Sequence, residues 1–67
     1  MSHQVRMTWY PFVDEQAAFH LLAESESPFR VAVVCGSGQR EQISSFQSGL
    51  VHVVSLEVPA TAMVEVE

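Results

Sequence analysis

The stretch FRVAVVCGSGQREQISSFQ, residues 29–47, decides between the folds open to this chain. Phe29–Cys35 is almost continuously apolar and β-branched, which is typical of a strand covered on both faces. Gly36–Gly38 ends that strand. Over Gln39–Gln47 the apolar residues recur at helical spacing, although part of the segment also alternates as a strand would. We favour a short helix, because Gly49 stands where a glycine commonly follows a last helical turn.

Periodicity predicts the elements on either side of this stretch. Val5–Tyr10 alternates apolar and polar residues, as a half-buried strand does, with Met7 and Trp9 on its apolar side. Val13–Glu24 carries its apolar residues on one arc at helical spacing, with acids in the first turn, and predicts a helix that covers Met7 and Trp9. The remaining strands are predicted at Leu50–Val58, the longest, and at Ala62–Glu67, an acidic edge strand.

These elements predict an α/β or α+β fold. We expect one small domain over residues 1–67, with residues 1–3 flexible, built as a two-layer sandwich in the order β-α-β-(α)-β-β. Three to five strands would pair, mainly in parallel, with one or two helices on one face. In the alternative, Gly36–Gly38 turns a hairpin and the sheet is antiparallel, with only the first helix covering it.

Composition limits the classes of function. The chain has 67 residues, three arginines, no lysine and eight acids, and its formal charge of -5 disfavours nucleic acid as a partner. Its 48% hydrophobic content and mean hydropathy of +0.17 exclude a disordered acidic tail. No apolar run is long enough to span a membrane, and Met1–Tyr10 lacks the pattern of a signal peptide, so we expect a cytoplasmic location. One cysteine excludes an internal disulfide.

Self-association is the first functional expectation. If the helices occupy one face of the sheet, the other face exposes a stripe of valines. Each buried valine contributes about 1.5–3 kcal/mol before entropy is subtracted, so four or five are comparable to the whole stability of a small domain. The expected partners are a second copy of the chain and another protein. The residues predicted to form the contact are Tyr10, Phe19, Ala23, Val51 and Val53.

The glycine-rich turn is the candidate ligand site. With a strand before it and a helix after it, the amides of Ser37 and Gly38 and the side chain of Arg40 could hold an anion. The dinucleotide fingerprint fails because Glu41 stands where a third glycine is required, and a chain without lysine cannot supply a P-loop. We expect no cofactor. The simpler interpretation is that the glycines only permit a tight turn.

Cys35 is a weak candidate for a catalytic nucleophile, because a thiol near a helix N-terminus is activated. The only histidine in a predicted strand next to that of Cys35 is His52. In a parallel sheet Cys35 would end its strand and His52 would lie near the start of the next, so several residues would separate them. A packed structural thiol is the more frequent role. The spacing of the possible metal ligands matches no zinc site; these ligands are His3, His20, His52 and Cys35. His20 and Glu24 alone would give only two ligands, so no metal site is expected.

The function predicted from these features is a small, acidic, non-catalytic protein–protein interaction module. It would act as an accessory, regulatory or inhibitor protein and self-associate through its valine-rich sheet. The alternative is a small-molecule or anion-binding enzyme with a site around Cys35 and the Gly36–Gly38 turn.

Overall fold

The computed structural model describes residues 4–11 and 18–67, and these form seven β-strands and no helix. One antiparallel sheet, sheet A, has the strand order β1-β2-β6-β5, and the other, sheet B, has the order β4-β3-β7. The described part of the chain therefore contains no helix that could span a membrane. The strands are β1 Arg6–Pro11, β2 Ala18–Ser25, β3 Arg30–Val34, β4 Arg40–Ser44, β5 Phe46–Ser48, β6 Val51–Pro59 and β7 Met63–Val66.

The predicted α/β or α+β fold is wrong, since every strand pair is antiparallel and the described residues of both predicted helices contain strands and no helix. Four strands predicted by periodicity are confirmed as β1, β3, β6 and β7, and β7 lies at an edge as expected. The hairpin of the alternative interpretation is also present, between β3 and β4. The prediction of flexibility falls on residues 1–3, outside the described residues.

The predicted helix Val13–Glu24 is replaced by β2 over its described part, while its first residues lie outside the described ranges. Leu21, Ala23 and Ser25 are buried, and the residues between them are only half-buried. Burial alternates with a period of two because the segment is a strand of sheet A, where β2 pairs with β1 on one side and with β6 on the other. Cross-strand pairing and packing of one face override the helical preference of the segment.

The predicted helix Gln39–Gln47 is likewise wrong, because the segment forms β4 and β5 with Ser45 between them. Ile43 lies opposite Val31 and packs against the core, which selects the alternating pattern over the helical one. Gly49 does not end a helix. It has a φ of 63° and, with Leu50, connects β5 to β6, as in a two-residue hairpin turn of type II′.

The core lies between the two sheets. Sheet A contributes buried residues of β2 and β6, and sheet B contributes those of β3. The core valines Val31, Val33, Val54 and Val58 are therefore covered within the chain, whereas Val51 and Val53 lie half-buried on the other face of β6. The buried core residues are Leu21, Ala23, Phe29, Val31, Val33, Val54 and Val58.

Candidate interaction surface

Strand β1 forms one edge of sheet A and, among the described residues, pairs only with β2. Trp9 lies opposite Leu21, so Trp9 and Met7 point to the face that carries the core. Both side chains are nevertheless exposed, Trp9 by 44%. The described part of the helix predicted to cover them is strand β2, which lies beside β1 in the same sheet, and the layer that packs on sheet A within the described residues is the three-stranded sheet B.

An apolar cleft lies beside this edge. Trp9 and Phe19 pack edge to face in one wall, with ring centroids 6.3 Å apart and an interplanar angle of 89°. Phe19 lies opposite Val58, so the cleft continues onto β6 and the turn after it. Its volume is about 260 Å³. The residues of this aromatic cleft are Trp9, Phe19, Val58, Pro59, Ala60 and Ala62.

A larger cleft, of about 390 Å³, lies where β3 begins and β4 ends. Its backbone groups bond one another: the Ser45 N–H donates to the Phe29 carbonyl at 2.9 Å, and the Phe29 N–H donates to Ser45 Oγ at 3.1 Å. Arg30 and Glu67 also exchange two backbone hydrogen bonds there. These backbone groups are therefore paired with one another within the chain.

The outer face of sheet A carries a serine–histidine pair. Ser55 Oγ and His20 Nε2 are 2.8 Å apart, and the Tyr10 ring lies 6.5 Å from the His20 ring. A serine and a histidine at this distance resemble a nucleophile and its base. Acyl transfer also requires N–H donors aimed at the developing oxyanion, and the amides of β2 and β6 lie in the plane of the sheet, directed at neighbouring strands. The pair therefore has the geometry of a cross-strand hydrogen bond.

The residues predicted to form a protein contact do not share one surface. Phe19 is 37% exposed and Tyr10 is 50% exposed, but they point to opposite faces of sheet A. Ala23 is fully buried in the core and cannot contact a partner. Val51 and Val53 are half-buried on the outer face of β6, next to β5.

The helix that the anion site at Ser37, Gly38 and Arg40 required is not present. The Gly38 N–H donates to the Cys35 carbonyl at 2.9 Å and is therefore occupied within the turn. Arg40 donates from Nη1 to Glu65 and from Nη2 to Glu67, each at 2.8 Å. These hydrogen bonds, first that with Glu65 and then that with Glu67, raise the pKa of Arg40 above its ordinary value.

Cys35 is half-buried at the start of the β3–β4 turn, where its N–H donates to the Gln39 carbonyl at 2.8 Å. His52 lies on β6, in the other sheet, so antiparallel pairing does not place the two side chains on neighbouring strands. The described residues contain no group of three metal-ligating side chains. His20 and Glu24 lie four residues apart on a strand, about 13 Å rather than one helical turn, and His3 is outside the described residues.

Several residues of the exposed edge escaped the sequence analysis. Trp9 and Met7 were assigned to the core by their alternation, which identifies a face and not whether that face is covered. No protein-family model, curated protein or solved structure matches this chain.

Proposed function

We propose that this chain is a small, acidic, non-catalytic protein–protein interaction module that binds through the edge of β1 and the aromatic cleft beside it. The observation that carries the proposal is the exposure of Trp9 and Phe19 next to a strand with no second neighbour among the described residues. An accessory, regulatory or inhibitor role fits such a module. A cytoplasmic location belongs to the same proposal, because a chain with one cysteine has no internal disulfide to maintain.

Two features of this surface suit a protein ligand. A strand edge offers unpaired backbone N–H and C=O groups to an extended segment, which gives affinity through main-chain hydrogen bonds. The aromatic cleft offers an apolar pocket for a side chain of that segment, and Trp is enriched among residues that dominate binding energy. Together they supply affinity and selectivity.

Charge supports the same location. The chain carries a net charge of -5, yet the residues from Gln4 to Pro11 include no acid and only one charged side chain, Arg6. The edge strand itself therefore presents no carboxylate that would repel an acidic partner.

The test uses two matched variants on opposite edges of sheet A. Affinity capture from the cells that make the protein is performed with wild type, with Trp9→Ala, and with Phe46→Ala, which removes a 58% exposed aromatic from β5. A captured protein is then purified and titrated against wild type while the emission of Trp9, the only tryptophan, is followed. We expect a shift of that emission to shorter wavelength as the indole becomes buried.

The expected pattern is loss of binding in Trp9→Ala and retention in Phe46→Ala. Equal binding by both variants, or binding that leaves Trp9 emission unchanged, would show that the partner docks elsewhere and would overturn the proposal.

A further inference from the structure

The four strand edges of the two sheets are not equally protected against pairing with another chain. β5 has three residues, β4 begins with Arg40 and Glu41, and β7 carries Glu65, which Arg40 holds by an ion pair. Short edge strands and charged side chains are the usual means by which sheets avoid edge-to-edge pairing. β1 is the least protected at its centre: it has six residues, with its one charge, Arg6, at the first position and its proline, Pro11, at the last.

β1 is also complementary to itself. In an antiparallel alignment of two copies with Thr8 opposite Thr8, Met7 lies opposite the partner's Trp9, and Arg6 lies opposite the partner's Tyr10. Sulfur–aromatic and cation–π contacts are both favourable. The exposed apolar side chains of one copy would thus cover those of the other, which explains why Met7 and Trp9 are left open at this edge.

The charges permit this alignment. No acid lies on β1 of either copy. Arg6 and the partner's Arg6 fall four positions apart along the paired strands, about 13 Å, which exceeds the Debye length of about 8 Å at physiological ionic strength. Pairing of β1 with β1 therefore places no carboxylate of one β1 strand beside a carboxylate of the other.

We infer that the partner at this surface is a second copy of the chain, joined by antiparallel β1–β1 pairing around a two-fold axis at Thr8. The dimer has one continuous eight-stranded sheet, with four strands from each copy. This inference rests on the proposed function, since it identifies the occupant of the same edge. A two-fold contact of this kind uses the same patch on both copies and closes without further growth.

Disulfide trapping tests the register. Thr8→Cys is made in a Cys35→Ser background, and oxidised glutathione is the oxidant that converts two Thr8→Cys thiols into one disulfide. Residues directly opposite in an antiparallel pair have Cα atoms about 4.5–5.5 Å apart, within the range that a disulfide spans. Arg6→Cys and Thr61→Cys in the same background are the controls, the first on the same strand and the second on an exposed turn.

We expect Thr8→Cys to form the covalent dimer at least about tenfold faster than either control, because neither control residue lies opposite its own copy. Equal rates for the three variants would overturn the inference. A faster rate for Arg6→Cys would overturn the register and with it the two-fold axis at Thr8.

A second experiment measures the dimer without a cross-link. Light scattering across a dilution series is performed on wild type, Thr8→Arg and Thr61→Arg. Like charges directly opposite one another oppose pairing, so Thr8→Arg is expected to weaken the dimer at least about tenfold, while Thr61→Arg is not. Should Thr8→Arg fail to fold by circular dichroism, the trapping result with Thr8→Cys still decides the question.

The two proposals fail separately. A wild type that stays monomeric at every concentration, but binds a purified protein with burial of Trp9, overturns the dimer and leaves the interaction module standing. A dimer that survives Thr8→Arg and gives no preferential Thr8→Cys cross-link uses another surface and also overturns the inference.

Discussion

Trp9 and Phe19 pack edge to face between neighbouring strands, with centroids 6.3 Å apart, although each side chain remains more than one third exposed. The contact fixes one wall of the aromatic cleft. Perpendicular aromatic pairs are favourable because the positive edge of one ring meets the negative face of the other. The orientation of Trp9 at the open edge therefore depends on Phe19.

A double-mutant cycle of Trp9→Leu and Phe19→Leu is expected to give a coupling energy of about 0.5 kcal/mol, the lower end of the range for aromatic pairs, because both rings are partly solvated. The free energy of unfolding is measured in urea for the four proteins. A cycle of Trp9→Leu with Phe46→Leu, on the opposite edge, is the control and should show no coupling. Equal coupling in both cycles would contradict the packing described for the cleft.

Two leucine-to-alanine substitutions compare the contribution to stability of a core residue with that of a surface residue. Leu21 is fully buried between the sheets and Leu50 is 94% exposed in the β5–β6 turn. Leu21→Ala is expected to lower the free energy of unfolding by about 2–5 kcal/mol, enough to unfold so small a domain, through lost apolar burial and a residual cavity. Leu50→Ala should change it by no more than about 0.5 kcal/mol. The free energies are measured by urea unfolding followed by circular dichroism. Equal losses in Leu21→Ala and Leu50→Ala would contradict the packing of Leu21 between two sheets.

The β3–β4 turn contains two glycines with different requirements. Gly38 has a φ of 87°, while Gly36 is outside the positive region, and neither would meet a neighbouring atom if a Cβ were added. Gly38→Ala should therefore destabilise the protein by about 1–2 kcal/mol through backbone strain alone. Gly36→Ala should be neutral or stabilising by about 0.4–1 kcal/mol, because it restricts the unfolded chain. If Gly36→Ala lowered the midpoint temperature of thermal unfolding more than Gly38→Ala, the turn would have a conformation other than the one described.

Arg40 joins the two outer strands of sheet B across Ala32, which is fully buried beneath this bridge. Its raised pKa means that the Arg40 contribution to stability is fully present below the ordinary pKa of arginine and is lost only as pH rises through the raised value. The difference in urea midpoint between wild type and Arg40→Met should therefore stay constant from about pH 6 to pH 10. Added salt should reduce it, because the side chains are exposed. A midpoint difference that varies over this pH range would contradict the assigned charge state.

Alternation identified the strands that have their own local signature. Phe29–Cys35 is almost continuously apolar and β-branched, as is the first half of Leu50–Val58, and the two segments form β3 and β6 in the interior of their sheets. The turn predicted at Gly36–Gly38 is present. After it, the sequence favoured a helix over Gln39–Gln47 and gave the hairpin as the alternative, and the structure has the hairpin. Gly49 was wrongly taken to follow a helix, because a helix end and a type II′ turn both use a glycine with positive φ.

The candidate surface was predicted only in part. Tyr10 and Phe19 are exposed as expected, whereas Ala23 is in the core. The error has one cause: on a helix, Phe19 and Ala23 share an outward face, and on a strand they share the face that packs inward. The assignment of the element therefore decided the assignment of its surface.

The sequence by itself determined the charge, the lack of an internal disulfide, four of the strands and the turn at Gly36–Gly38, because each depends on composition or on contacts within a few residues. Only the tertiary structure decided that Ala18–Ser25 is a strand, that Val31, Val33, Val54 and Val58 are buried together between the sheets, and that Trp9 is exposed on a strand at the edge of sheet A. Pairing in a sheet joins residues that are distant in sequence, such as Leu21 and Leu56. A local pattern cannot contain that information, since it specifies which side chains share a face and not which strand or solvent that face meets.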